Sequence, residues 1–179
     1  MSERILFTEW ESPCGTLVLA GLNDRLVMSD WKNGWHHEAI LKRFAKMTKC
    51  PFVQGTSPVI AETISQLQEY FALKRQRFDL PLLFIGTDFQ KKVWRALESI
   101  EYGKVVSYGD IARTIDNPQA VRAVGGAVGQ NPFSIIVPCH RIVGSNNSLT
   151  GYGGGFEAKK YLLTLESKNS KEPLQLMFS

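Results

Sequence analysis

The stretch Ser107-Tyr108-Gly109-Asp110-Ile111-Ala112-Arg113-Thr114-Ile115-Asp116-Asn117-Pro118-Gln119-Ala120-Val121-Arg122-Ala123-Val124-Gly125-Gly126-Ala127-Val128-Gly129 decides how the second half of this 179-residue chain folds. Ser107 with Asp110 three residues on has the form of a capping box in which aspartate replaces the usual Glu or Gln. A helix therefore starts there, with Ile111, Ala112 and Ile115 on its buried side. Asn117 followed by Pro118 reads as a second helix start: an asparagine side chain accepts from a free N–H, and a proline at the first helical position has no N–H to leave unpaired. The second helix then runs from Pro118 to about Gly129. Two short helices joined by about three residues make either an ordinary helical hairpin or a helix-turn-helix with the second as recognition helix.

The surface of that second helix is unusual. Ala120, Ala123, Gly126 and Ala127 recur at spacings of three and four, with Gly125 beside them, so one stripe has almost no side-chain bulk. Two adjacent glycines cost about 1 kcal/mol each against alanine, so something approaches this stripe closely. A neighbouring helix or a DNA backbone and minor groove both suit it, and Arg122 beside the stripe has the character of a groove-inserting side chain. A sequence-reading transcription factor would present polar base-contacting side chains instead. The formal net charge of +4 leans the same way, toward an anionic partner.

Upstream, Thr87 or Asp88 can cap a helix whose apolar positions are Phe89, Val93, Trp94, Leu97 and Ile100, ended by Gly103. The first half reads differently. Ile5 to Trp10, Thr16 to Ala20 and Leu26 to Trp31, with turns at Ser12-Pro13-Cys14-Gly15 and Asn23-Asp24, form a three-stranded antiparallel meander. His37 to Met47 and Val59 to Leu73 are amphipathic helices, and Phe78 to Phe84 has no helical period. The expectation is an α/β (α+β) chain: a small sheet with helices over residues 1–86, a mainly helical unit over 87–167, and a flexible tail over 168–179.

Downstream, Ser134-Ile135-Ile136-Val137 reads as a short buried strand that delivers the chain into Pro138-Cys139-His140-Arg141. Pro138 restricts both itself and Val137, so Cys139 is held at the start of a turn, where backbone N–H groups and a nearby histidine favour the nucleophilic thiolate. Adjacent side chains of an extended strand face opposite ways, so His140 reaches the sulfur only if the backbone turns or a water bridges them. A histidine base needs a partner for its other nitrogen. Glu166 lies on the apolar side of a last helix, Glu157 to Ser167, four residues after Leu162, and is either that partner or a solvated surface carboxylate.

Cys14, Cys50 and Cys139 show no CxxC spacing, which argues against a disulfide framework or zinc knuckle and for reduced thiols in a cytosol. The first 32 residues hold no basic segment followed by an apolar run, and nothing approaches the ~20 apolar residues that span a bilayer. A DNA-binding module without chemistry and a thiol hydrolase using Cys139 and His140 are alternative readings, and the hydrolase would need an oxyanion hole and would turn over.

Pro138-Cys139-His140-Arg141, preceded by Arg122-Ala123-Val124-Gly125-Gly126-Ala127 and Asn131-Pro132 and followed by Tyr152-Gly153-Gly154-Gly155, resembles the O6-alkylguanine-DNA alkyltransferase family. The resemblance is close from about Phe89 to Glu166 and looser in the first half. It implies a ribonuclease-H-like N-terminal α/β domain, a C-terminal domain with a minor-groove helix-turn-helix, and direct reversal of DNA damage. The methyl group of O6-methylguanine, and of O4-methylthymine, passes irreversibly to Cys139 after the nucleotide is flipped out. It implies further that His140 is a base acting through a water, Glu166 its orienting partner, Asn131 a hinge, and Arg122 the finger that replaces the flipped nucleotide. Tyr108 aids rotation and the leaving guanine, while Pro138, Ile142, Tyr152, Gly153 and Gly154 surround the base. Gly153 stands where several relatives have a serine, so one polar contact to the base is absent. No cofactor and no metal are expected: where some relatives carry zinc ligands, this chain has Glu3, Leu22 and Val27. His36 and His37 read as solvated or capping residues. The expected partner is double-stranded DNA, for a cytoplasmic monomer without membrane or obligate protein partner.

Overall fold

A computed structural model of the chain describes residues 3–144 and 151–172. The order is β1 (Ile5–Ser12), β2 (Gly15–Leu22), β3 (Arg25–Trp31), α1 (His37–Thr48), β4 (Phe52–Gln54), α2 (Pro58–Phe71), α3 (Asp88–Leu97), α4 (Tyr108–Thr114), α5 (Val121–Gly129), a single 3-10 turn (Cys139–Arg141) and α6 (Phe156–Lys168).

The three expected strands form the antiparallel meander, and the β1–β2 turn uses Gly15 at φ 141°, with the Ser12 hydroxyl donating to the Gly15 carbonyl at 2.6 Å. A fourth strand was not legible: β4 pairs parallel with β1, Ile5 opposite Phe52, giving the order β3-β2-β1-β4. Three residues are too few to show a period of two. The two faces of β2 enter two cores, as strand alternation requires. Val18 and Ala20 pack with Ile40 and Phe44 of α1, whereas Leu17 and Leu19 pack with Ile60 and Leu67 of α2 and with Trp94 of α3. That covering on both sides makes Thr16 to Leu22 read as one apolar run.

The segment between the halves is itself built in. Leu26 N donates to the Pro81 carbonyl at 2.8 Å and Leu83 N to the Leu26 carbonyl at 2.9 Å, so this segment bridges to β3 in parallel while Phe84 packs against Trp94 and Phe133.

In the second half, Thr87 and Gln90 complete a capping box on α3, and Ser107 and Asp110 complete the one expected on α4. Two expectations fail. Helix α3 ends at Leu97 rather than near Gly103, because the N–H groups of Ser99 and Ile100 turn to carbonyls only three residues back, although Ile100 stays buried. Asp116-Asn117-Pro118 does not start α5 but finishes α4. Asp116 adopts a left-handed φ of 58°, its N–H reaches the Arg113 carbonyl at 3.0 Å, and the Asn117 N–H reaches the Ala112 carbonyl at 2.9 Å. This is a Schellman closure, in which proline commonly follows because it cannot continue the helix. Helix α5 therefore begins at Val121, with Ala120 as N-cap and no side-chain cap. Among the described residues, no helix is long and apolar enough to cross a membrane, and no cluster of three or more His, Cys, Asp or Glu residues could hold a metal.

Candidate active site

Cys139 is held by turns rather than by the expected strand. Val137 N donates to the Phe133 carbonyl at 2.8 Å, and Ile135 between them has a left-handed φ of 73°. A β-branched residue there costs on the order of 1–3 kcal/mol and persists only when its surroundings impose it. They do: Ser29 of β3 donates its N–H to the Pro132 carbonyl at 2.8 Å and its hydroxyl to the Ser134 carbonyl at 3.0 Å. Asn131 closes the same loop from within, accepting from Phe133 N and donating to the Val137 carbonyl, each at 2.9 Å. Pro138 (φ −81°, ψ 63°) then makes an inverse γ-turn in which Cys139 N donates to the Val137 carbonyl at 2.8 Å. On the far side, Val106 N donates to the Arg141 carbonyl and Val143 N to the Val106 carbonyl, both at 2.9 Å, so the cysteine is braced on both flanks.

Cys139 is only 8% exposed, and burial pushes its thiol up to about 11, against a hydrogen bond from Asn131 and the positive charge of Lys159. The expectation that its turn favours the thiolate does not hold for the resting site: desolvation of the buried sulfur outweighs the local N–H groups, and the thiol form prevails. Glu166 is fully buried rather than solvated. Glu166 Oε2 lies 2.7 Å from His140 Nε2 and accepts from the Tyr70 hydroxyl at 2.6 Å and Arg141 Nη2 at 3.1 Å, while Oε1 accepts from Arg141 Nε at 2.9 Å and Gly103 N at 3.2 Å. Burial alone would raise this carboxyl, but His140 and Arg141 outweigh it and hold it well below the usual carboxylate range. A carboxylate only accepts, so His140 Nε2 carries the proton and Nδ1 keeps its lone pair. Nδ1 is buried and meets no protein hydrogen-bond partner among the described residues. Burial, with Arg141 and Lys159, lowers the His140 pKa despite Glu166, so the neutral imidazole prevails.

Lys159 was missed, although the spacing that singled out Glu166 applies to it: three residues before Leu162 and seven before Glu166, on the same face of α6. It is 1% exposed, and burial lowers its pKa to about 8, against the influence of Cys139. Tyr70 and Gly103 were missed for want of any local signal, being 96 and 63 residues from Glu166.

Cys139, Asn131, Tyr108, Gly125, Tyr152 and Gly153 line one cavity of about 190 Å³, together with Asp30, Gly34, Trp35 and His36 from the first half. Of the other expected pocket residues, Pro138 lines a separate groove, Ile142 lies fully buried in the core, and Gly154 lies so close beneath Trp31 that an added Cβ would stand 2.6 Å from its ring. The small-residue stripe of α5 divides. Arg122, Ala123 and Gly126 are exposed, while Ala127 is buried with its carbonyl accepting from Trp94 Nε1 at 2.8 Å. His36 and His37 are not simply solvated: His37 Nδ1 lies 2.6 Å from Asp30 Oδ2, and His36 Nδ1 lies 3.2 Å from Gln130 Nε2.

Residues 5–84 match the family model described as the 6-O-methylguanine DNA methyltransferase ribonuclease-like domain, and residues 88–168 that of the DNA binding domain of the same proteins. The chain is 44% identical over 172 residues to the constitutive methylated-DNA–protein-cysteine methyltransferase of Bacillus subtilis strain 168, covering 93% of this chain and 98% of that one. It is 42% identical to the Haemophilus influenzae protein of that name, covering 90% and 86%. Among solved structures, it is similar to Mycobacterium tuberculosis OGT in complex with DNA, with a TM-score of 0.78 and 40% identity over 94% of this chain and 95% of that one. With both halves matched and identity above 40% over nearly the whole length, the chain belongs to the methylated-DNA–protein-cysteine methyltransferase family.

Proposed function

We propose that this chain reverses DNA alkylation directly, moving the alkyl group of O6-alkylguanine in duplex DNA onto Cys139 Sγ, once per molecule. The observation that carries the reading is the buried Glu166–His140 pair beside the buried Cys139. Glu166 places the His140 proton on Nε2, so the Nδ1 lone pair is free to take the thiol proton through one bridging water. The resulting thiolate attacks the O-linked carbon of the alkyl group. A C–S bond forms, the C–O bond breaks, and the electron pair leaves on guanine O6 with Tyr108 at the cavity wall to neutralise it. The thioether has no leaving group that water can displace, which makes the transfer irreversible.

A duplex buries its bases, so the target must leave the stack to meet a cysteine recessed in a cavity. Exposed Arg122 is the side chain to fill the gap, with Ala123 and Gly126 leaving room on α5 for the minor-groove backbone. Methylated O4 of thymine presents the same carbon and is the second substrate. On this reading the chain acts as a cytoplasmic monomer without cofactor, its three cysteines being free thiols.

The test is intact-mass analysis after incubation with duplex carrying one O6-methylguanine. The expected result is one added methyl on the peptide containing Cys139, with none in Cys139→Ser although that variant still binds DNA. Multiple turnover, or a methyl elsewhere, refutes the reading.

A further inference from the structure

We infer that Trp35, held in place by His36, is the stacking wall for the extruded alkylated base, a specificity-determining aromatic that the first half of the chain adds to the reaction cavity. This rests on the base-extrusion reading above.

Trp35 lies between β3 and α1 and is 72% exposed, unlike Trp31 at 3% and Trp94 at 0%. Its ring lines the same cavity as the nearly buried Cys139, and its Cζ2 lies 4.0 Å from where a Cβ on Gly151 would stand. A large exposed indole is ordinary on its own. Here it is locked in place. Its ring packs on His36 at 4.1 Å between centroids, tilted by 40°. His36 is fixed in turn by the end of α5: Arg43 donates to Gln130 Oε1 at 3.2 Å and to the Gln130 carbonyl at 3.1 Å. A guanidinium has only donors, so the Gln130 amide nitrogen is the atom that faces His36 Nδ1, and Nδ1 accepts. The imidazole is thereby neutral, in accord with burial lowering its pKa. Gly129 completes the seat, since a Cβ there would stand 2.9 Å from His36 Nε2.

The result is a neutral, rigid aromatic pair at a cavity that must receive a flat ring. Every nucleobase offers a π face to such a platform, and O6-alkylation strips guanine of its N1 proton, leaving fewer polar edges to satisfy. A phosphate has no reason to seek an uncharged aromatic pair, which separates this role from backbone binding.

The experiment compares the parent protein with Trp35→Ala and Trp35→Phe. Transfer from O6-methylguanine, as free base and within a duplex, is expected to slow at least about tenfold in Trp35→Ala, equivalent to 1.4 kcal/mol, and to recover most of that loss in Trp35→Phe. Affinity for undamaged duplex is expected not to change. In a Cys139→Ser background, binding of the free base is expected to quench an indole emission that Trp35→Phe lacks. An unchanged free-base rate in Trp35→Ala, a parallel loss of undamaged-duplex affinity, or quenching that persists without Trp35 each overturns the inference. A parent protein that transfers nothing overturns the transfer reading instead, and the quenching measurement still decides the role of Trp35.

Discussion

Replacing Glu166 by glutamine tests whether the carboxylate sets the state of His140 or merely fills space. Glutamine keeps one oxygen and brings one NH2. If the NH2 took the Oε1 position, it would face Gly103 N–H and Arg141 Nε–H, neither of which can turn to accept. At the Oε2 position it meets Tyr70, whose hydroxyl can rotate, and His140, whose tautomer can change, so only Arg141 Nη2 is left opposed. The second arrangement is the lower in energy, and it moves the His140 proton from Nε2 to Nδ1, where the base must have a lone pair. General-base catalysis contributes typically about 10²–10⁴-fold, so the single-turnover rate should fall by at least ~100-fold. Stability falls as well, since breaking a buried ion pair costs about 3–5 kcal/mol. At about 2–4 °C per kcal/mol for a chain of this size, the Tm drops by roughly 6–20 °C, and the rate is read at a temperature where calorimetry shows the variant folded. The assay is rapid-quench methyl transfer from duplex O6-methylguanine beside calorimetry. Tyr70→Phe supplies the control: it removes one hydrogen bond to the same oxygen, costs about 1.5–3 kcal/mol, and leaves the tautomer alone, so its rate should stay within a few-fold. A Glu166→Gln rate equal to the parent's, or a Tyr70→Phe rate equally depressed, would refute the tautomer argument.

Other consequences can be measured separately. Arg122→Ala should slow duplex repair at least about tenfold while transfer from free O6-benzylguanine stays near the parent rate, since a free base needs no flipping; equal loss in both assays would remove the finger role. Lys159→Met removes a buried cation that favours the Cys139 thiolate below about pH 8, where Lys159 is charged, so iodoacetamide reaction of the thiol at about pH 7 should slow, while the parent and variant rates converge well above that pH; an unchanged rate at about pH 7 would mean the two groups are not coupled. Stability should fall with acid in two stages. Below about 6.5 the unfolded histidine takes a proton that His140 resists. Below about 4.5 the unfolded carboxyl does so while Glu166, its folded pKa depressed, stays ionised. The stability from Glu166 is therefore present above that second pH and lost as the pH falls beneath it, and chemical denaturation of Glu166→Gln should show a smaller second stage, the part that Asp110 contributes remaining.

By itself the sequence determined the elements whose causes are local. The apolar run of β2 between its two turns, the apolar faces of α1 and α2, and the Ser107–Asp110 box are set by residues within a few positions of each other, and each forms as its pattern dictates. The run Pro138-Cys139-His140-Arg141 marked the centre for the same reason, since a proline, a thiol and an imidazole in succession are themselves the chemistry. Tertiary structure decided the rest. Asp116-Asn117-Pro118 carries signals for both a helix end and a helix start, and the backbone bonds from Asp116 and Asn117 back into α4 chose the end. Ser134 to Val137 has the composition of a strand, yet Ser29 and Asn131 take its backbone partners and bend it into a turn. The protonation of the site was legible least of all. Whether Cys139 holds its proton, and which nitrogen of His140 carries one, depends on burial and on donors brought from Tyr70, Gly103 and Arg141. Electrostatic strength in a dry interior is set by distances between residues far apart in the chain, which no local pattern records.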